Sequence, residues 1–354
     1  MAMLNKTENQ SSGDECINNQ AGRDINYNFY KGISSEKCRE ICNNLFQENF
    51  IKLHQEAADI AFVRANNLID LFLDKLSKMD LDIQKKIESQ LKKPAMQEAI
   101  FKAQKGYALT EEDNADIFVD LLISRGKAEY KSNTQLLTDE AIEILPKLNS
   151  THLNILLFYL QLDSQQYVGT ERNLKEYIDL LISIFNDVNK NIQYDLLYLE
   201  QLKCVEINSF IGKSIEQCIL KQTQMFYDGF SRDEILSKLN ENVLNKLFTK
   251  SLKNPENYVL IYNDLEYIKT QIYVSPSEKQ KEIYDRIFSF YYPENTKVDD
   301  AIIRDIVLKY NPNLKIVFDS ELDFRKYHFG LLGQWIAKKL YEIKTQKTVN
   351  FDFK

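Results

Sequence analysis

Residues 35–76 read SEKCREICNNLFQENFIKLHQEAADIAFVRANNLIDLFLDKL, and this stretch decides the fold class. Apolar residues recur in it every three or four positions, which is the spacing of one face of an α-helix. Ser34 or Ser35 can cap its start. The apolar positions are Ile41, Leu45, Phe46, Phe50, Leu53, Ala57, Ile60, Ala61, Leu68, Leu71, Phe72 and Leu76. One helix over this stretch would extend about 60 Å; the alternative is two ordinary helices with an unmarked kink between them.

The composition of the whole chain agrees with a helical protein. Its 354 residues include only 10 Gly and 6 Pro, roughly 2.8% and 1.7% of the chain, whereas average usage is about 7% and 5%. Sandwiches, β-barrels and enzymes with glycine-rich nucleotide loops need Gly and Pro at many tight turns, so the composition argues against them. We therefore predict an all-α protein, an array or bundle of about twelve to fourteen helices with a long N-terminal helix and a short N-terminal strand-like segment.

Shifts in composition divide the chain into three predicted regions. Residues 1–31 form a polar segment that is strand-like or flexible, residues 32–165 an N-terminal helical module, and residues 166–354 a C-terminal helical module. The boundary between the modules is placed where polar residues interrupt the helical pattern between Gln161 and Thr170. No repeat of fixed period is found.

The polar N-terminal segment contains one pattern typical of a strand. Ile25, Tyr27 and Phe29 occupy alternate positions, which gives a strand one apolar face. A lone strand is not stable in water, so it must pair with the body of the protein, with residues 348–353, or with copies of itself. The alternative is a flexible tail, the usual state of a polar terminus.

The residue types that carry catalysis or bind metals are sparse. The three histidines, His54, His152 and His328, are far apart in sequence, and no H-E-x-x-H arrangement is present. Five cysteines without a regular framework indicate reduced thiols. The chain also lacks G-x-x-x-x-G-K-[ST] and G-x-G-x-x-G loops. We therefore expect no cofactor, no metal site and no catalytic residues.

One stretch keeps an enzymatic alternative open. The carboxylates of Asp319, Glu321 and Asp323 precede Lys326, which faintly resembles a metal-dependent nuclease core. Such a core needs the acid and the lysine two residues apart on a strand, whereas Asp323 and Lys326 are three apart in a predicted helix. A toxin-like nuclease effector is thus an alternative function.

The charge of the chain bears on its partners and its location. The net charge of −7 disfavours non-specific binding to nucleic acid or anionic membranes. A basic C-terminal helix with Lys338, Lys339, Lys344 and Lys347 keeps open a second alternative, a nucleic-acid-binding regulator, although a solvated face is the expected role of these lysines. No apolar run is long enough for a transmembrane helix and no signal peptide is recognised, so we expect a cytoplasmic protein without membrane contact.

The phrase NQAGRDINY at residues 19–27, followed by Gly32-Ile33-Ser34 and the helix bearing Phe50, Ala57 and Arg64, resembles a known group. It is similar to an uncharacterised family of bacterial helical proteins with an N-terminal Gly-x-Asp-Ile-Asn segment, associated with mobile elements and anti-phage defence. The resemblance implies a role in defence and an N-terminal segment that aids assembly. It brings no catalytic residues with it.

Together these observations favour a non-enzymatic, self-assembling helical sensor or scaffold in bacterial anti-phage defence. The expected partners are the protein itself, through the N-terminal segment, and a phage or host protein. We predict that Ile25, Tyr27 and Phe29 form the assembly face and that Phe46, Phe50 and Leu53 support it by packing helices together.

Overall fold

The computed structural model describes residues 35–50, 55–110, 114–163, 169–186, 192–207, 214–262, 268, 285–292, 296–319 and 326–346. These residues are mostly helical, which confirms the all-α prediction. Four strands of three residues each, which the sequence analysis did not predict, form two antiparallel pairs. No helix among these residues is long and apolar enough to cross a lipid bilayer.

The helices and strands follow one another along the chain with these bounds. They are α1 (Ser35–Phe50), α2 (Gln55–Ser77), α3 (Leu81–Leu91), α4 (Pro94–Leu109), α5 (Ala115–Lys127), α6 (Asn133–Ile144), α7 (Ser150–Asp163), α8 (Glu171–Asn186), α9 (Ile192–Gln201), β1 (Val205–Ile207), α10 (Ile215–Leu220), α11 (Arg232–Lys238), α12 (Glu241–Leu247), β2 (Phe248–Lys250), β3 (Tyr258–Leu260), α13 (Asp300–Tyr310), α14 (Lys315–Phe318), β4 (Tyr327–Phe329) and α15 (Leu331–Thr345).

The chain divides into two compact units, Met1–Pro146 and Lys147–Lys354. This division falls earlier than the predicted boundary after residue 165. The reason is α7, whose packing partners α8, α9, α10, β4 and α15 all follow it in sequence. Helix α7 therefore belongs to the second unit, although the polar residues that interrupt the sequence pattern come after it.

The first unit begins with a helical hairpin. The Arg39 guanidinium on α1 donates two hydrogen bonds, of 3.0 and 2.6 Å, to the Asp70 carboxylate on α2. These residues are 31 positions apart, and one straight helix would separate them by about 46 Å. The chain therefore reverses between α1 and α2, so the two-helix alternative describes residues 35–76.

Helix α4 lies at the centre of the first unit and packs against α2, α5, α6 and α1. Two close approaches in this unit occur at glycines, one between α4 and Pro146 and one between α5 and α3. A Cβ at Gly106 on α4 would overlap the Pro146 ring, and a Cβ at Gly126 on α5 would lie 2.9 Å from the Ile87 side chain. The first unit thus obtains its close contacts from glycines that face side chains.

In the second unit α7 is buried along nearly its whole length, with α15 and α8 packed on it. Strand β1 pairs with β4 and places Val205 opposite Phe329. Gly330, directly after β4, and Gly333, in the first turn of α15, lie against the backbone of Lys203 and Cys204. A Cβ at Gly333 would overlap the Cys204 carbonyl oxygen. These two glycines therefore admit a neighbouring backbone segment.

A smaller core lies around the β2–β3 pair. Phe290 makes edge-to-face contacts with Phe230 and Phe248, at ring-centroid distances of 4.9 and 5.8 Å. The buried residues of this cluster are Ile235, Leu239, Leu244, Leu247, Phe248, Leu260, Ile268, Ile287 and Phe290. Helix α11 beside it has a capped start, because the Ser231 hydroxyl accepts a hydrogen bond from the Glu234 backbone N–H.

Candidate interaction surfaces

The predicted assembly residues lie in different environments. Ile25, Tyr27, Phe29 and Leu53 fall outside the described residues, as does the side chain of Phe50. Phe46 is 2% exposed and packs with Ala61, Ala65 and Ala108 inside the first unit. Its role in packing α1 onto α2 is therefore intramolecular, and its burial leaves no surface for a second copy.

The exposed side of α2 carries large apolar side chains. Ile60 is 63% exposed and Val63 is 66% exposed, and they are one turn apart on the same side of the helix. Ala57 and Asn67 extend this exposed side in both directions. The pair Ile60 and Val63 is called the α2 face below.

The α2 face differs from the stripe that the sequence pattern follows. Arg64 follows Ile60 by four positions, which is the spacing of one helix side. Its guanidinium lies 4.3 Å from the ring centroid of Tyr107 and donates to the Tyr107 carbonyl oxygen. These contacts hold Arg64 against α4. The apolar surface therefore runs from Ile60 to Val63, one position before Arg64.

The second unit has a comparable surface on α9. Tyr194, Leu197 and Tyr198 are 75%, 39% and 37% exposed, and they are three and four positions apart on one side of the helix. We call these three residues the α9 face. Sequence reasoning missed it because the run from Leu196 to Leu199 is apolar at every position, so periodicity does not distinguish its outer side.

Tyr198 is held in place from beneath by His152. The two rings stack at a centroid distance of 5.1 Å, and the Tyr198 hydroxyl donates to the Lys147 carbonyl oxygen. Tyr and Leu side chains with part of their area buried are well suited to protein contacts, because they lose little conformational entropy on binding. The α9 face is thus an apolar surface on which contacts with His152 and Lys147 fix the position of Tyr198.

His152 itself caps the start of α7. The Asn149 side-chain oxygen accepts from the His152 backbone N–H at 2.9 Å, and His152 Nδ1 accepts from the Asn149 backbone N–H at 3.2 Å. His152 Nε2 lies 3.3 Å from a carboxylate oxygen of Asp195. Because both ring nitrogens are engaged, this geometry is that of a capping box and not of a catalytic base.

The structure describes two of the four residues of the nuclease alternative. Asp319 directly follows α14, and about half of its side chain is exposed. Its Oδ2 atom lies 4.0 Å from Nζ of Lys315, the first residue of α14. Lys326 directly precedes β4, and Glu321 and Asp323 lie outside the described residues. Within the described ranges no group of three or more His, Cys, Asp or Glu residues has the arrangement needed to hold a metal ion.

Two of the four lysines of the basic C-terminal helix lie against other side chains of that helix. The ammonium groups of Lys338 and Lys339 lie 6.0 and 5.0 Å from the ring centroid of Trp335, and Lys339 pairs with Glu342 at 3.1 Å. Burial lowers the pKa of Lys338. The expectation of a solvated basic face is therefore wrong for Lys338 and Lys339, and Lys347 is outside the described residues.

Three cysteines among the described residues, Cys42, Cys204 and Cys218, are free thiols. Burial raises the pKa of Cys204 to about 12. A thiol in this environment remains protonated at neutral pH and is a poor nucleophile. Cys204 thus has the properties of a small core residue.

Comparisons with known proteins identify a family. No curated protein and no solved structure matches the sequence significantly. A protein-family model does match, and its match begins directly after the predicted polar segment. The chain belongs to this family, whose model covers residues 32–354 and whose description reads ":-like".

Proposed function

We propose that this protein is a non-enzymatic, self-assembling helical scaffold or sensor that binds another protein and acts in the cytoplasm in bacterial anti-phage defence. One observation carries the proposal: each compact unit has a helix whose outer side exposes large apolar residues at adjacent positions. Apolar side chains at neighbouring positions of a solvent-facing helix are the anchors that helix-mediated contacts use. The role in defence is supported by the resemblance at residues 19–34.

The α2 face is assigned to self-assembly. It lies on the second helix of the hairpin, and the first helix of that hairpin comes shortly after the N-terminal segment in sequence. Ile60 and Val63 are β-branched, and burying each of them against a second copy would remove apolar area from water at small entropic cost. Association through this face would leave the α9 face of the second unit for a different protein.

The first experiment measures solution mass by light scattering. We expect the full chain to form a defined oligomer and the chain starting at Gly32 to have a lower mass. The double variant Ile60→Glu, Val63→Glu should also dissociate, because two charges would have to be buried in the interface. Leu136→Glu, at an exposed leucine of the same unit, is the matched control and should keep the wild-type mass. A full chain that is monomeric at micromolar concentration would exclude self-assembly.

The second experiment measures protection of bacterial cells against a panel of phages. Expression of the full chain should reduce plaque counts, and the double variant Tyr194→Glu, Leu197→Glu should abolish the reduction while leaving the solution mass unchanged. Tyr198 is left intact because its ring packs on His152. Tyr130→Glu, at an exposed tyrosine of the first unit, is the control. Plaque counts that are unaffected by the wild-type protein would exclude the role in defence.

A further inference from the structure

A half-open pocket lies between α7, α8 and α15 in the second unit and has a volume of about 230 Å³. That volume corresponds to roughly seven or eight water molecules. It is large enough for a small organic molecule and too small for a nucleotide. Both polar and aliphatic side chains line the pocket.

The polar part carries a positive charge without a neighbouring negative one. Lys344 is the basic residue of the lining, and its ammonium group donates one long hydrogen bond, of 3.4 Å, to the side-chain oxygen of Asn154. The described residues that line the pocket include no Asp or Glu. An anion bound here would therefore meet a cation whose charge is not already neutralised within the site.

Asn154 adds hydrogen-bond donors beside this charge. The residue is more than nine-tenths buried, and its amino group has no hydrogen-bond partner among the described residues. The hydroxyl groups of Ser183 and Thr345, also in the lining, already donate to the carbonyl oxygens of Leu180 and Tyr341. Lys344 and Asn154 thus offer donors to a ligand, beside the Gln161 amide and the Tyr341 hydroxyl, which also line the pocket.

The remaining wall restricts the kind of anion. Leu157 and Ile184 are buried and, with Leu180, form an aliphatic surface next to the polar groups. A phosphate dianion would have one lysine to balance two charges and would gain nothing from the apolar wall. A carboxylate carries a single charge, and a short aliphatic chain attached to it would bury its surface on these side chains.

We propose that this pocket binds a small aliphatic monocarboxylate, with its carboxylate between Lys344 and Asn154 and its chain against Leu157, Leu180 and Ile184. The site lies within the second unit and is separate from the α9 face. This protein would then bind a small molecule in addition to its proposed protein partners.

The test uses the full-length chain and n-butyrate as the probe, with binding followed by saturation-transfer NMR of the probe signals. Butan-1-ol and n-butylammonium, at matched ionic strength, are the neutral and cationic controls. We expect butyrate to bind and the two controls to give no saturable signal. Butan-1-ol binding as well as butyrate, or inorganic phosphate displacing butyrate at lower concentration, would overturn the carboxylate assignment.

Variants locate the binding on the protein. Lys344→Met keeps the length of the side chain and should weaken butyrate binding about tenfold or more, since a charged hydrogen bond is lost. Asn154→Asp should weaken it similarly by placing a carboxylate beside the lysine. Lys344→Arg, which retains the charge, and Lys175→Met, at an exposed lysine of α8, should bind like the wild type. Butyrate binding that is unchanged in both Lys344→Met and Asn154→Asp would overturn the proposal, and circular dichroism checks that each variant is folded.

Discussion

A buried glutamine of the first compact unit differs in its hydrogen bonding from two buried glutamines of the second. In the first unit Gln104 on α4 is fully buried, and in the described part of the chain neither of its side-chain amide atoms has a hydrogen-bond partner. In the second unit the buried amide of Gln222 donates to the carbonyl oxygens of Leu162 and Cys218, and the amide of Gln224 donates to that of Tyr292. Burial of Gln104 therefore destabilises the first unit, whereas Gln222 and Gln224 connect segments of the second.

The same contrast holds for glycine. Gly126 in the first unit faces the Ile87 side chain, whereas Gly333 in the second faces the Cys204 carbonyl group. The first unit thus depends mainly on side chains that pack against side chains. The second unit uses side chains and glycines that contact the backbone, because its short helices and three-residue strands leave many backbone groups outside regular hydrogen bonding.

The largest expected effect comes from the glycine that faces backbone. Gly333→Ala should lower the free energy of unfolding by about 3 kcal/mol, because the added methyl group would overlap a carbonyl oxygen that β1 holds in place. Gly126→Ala is the matched control: the Ile87 side chain can shift, and the gain in helix propensity offsets the strain to within about 1 kcal/mol. Urea unfolding measures both, and equal losses would contradict the distinction between side-chain and backbone contacts.

The glutamines give the next largest effect and the one with opposite signs. Gln222→Leu should destabilise the protein by about 1 to 3 kcal/mol, because the buried Leu162 carbonyl oxygen would lose the donor that Gln222 supplies. Gln104→Leu should instead stabilise the protein by about 1 kcal/mol, since it removes an unsatisfied amide from the core. Thermal and urea unfolding compare the two variants. If both destabilise, Gln104 has a role that the contrast does not include.

The contrast also explains how much the sequence could predict. The apolar spacing over residues 35–76 predicted helices because the first unit is built from long helices with one buried side. The starts of α4 and α11 carry capping chemistry that is local in sequence, with Pro94 in the first turn of α4 and Ser231 as the cap of α11. These features depend on residues close in sequence.

Other features depend on contacts between distant residues. The pairing of β1 with β4 joins residues more than 100 positions apart, and three-residue strands carry no periodic signal. The hairpin reversal between α1 and α2 was invisible because no Gly or Pro marks it. Of the candidate surfaces, Ile60 was among the apolar positions recognised in residues 35–76, whereas its neighbour Val63 was not.

The smallest expected change in stability comes from the buried thiol of Cys204, the residue whose carbonyl group contacts Gly333. Burial raises the pKa of Cys204 from its ordinary value of 9.0 to about 12. Between these values the unfolded chain releases the proton and the folded protein keeps it, so the free energy of unfolding falls as pH rises above 9. At pH 10 the loss from this group should be about 1 kcal/mol relative to pH 7.

The variant Cys204→Ala isolates this contribution. Its unfolding free energy should fall less between pH 7 and pH 10 than that of the wild type, whatever the variant costs at pH 7. Leu244→Ala, at a buried residue without an ionisable group, is the control and should retain the wild-type pH dependence. If Cys204→Ala also retained it, the thiol would have to be accessible to solvent, and the tight contact of α15 with the backbone of residues 203 and 204 would be excluded along with the explanation of Gly333.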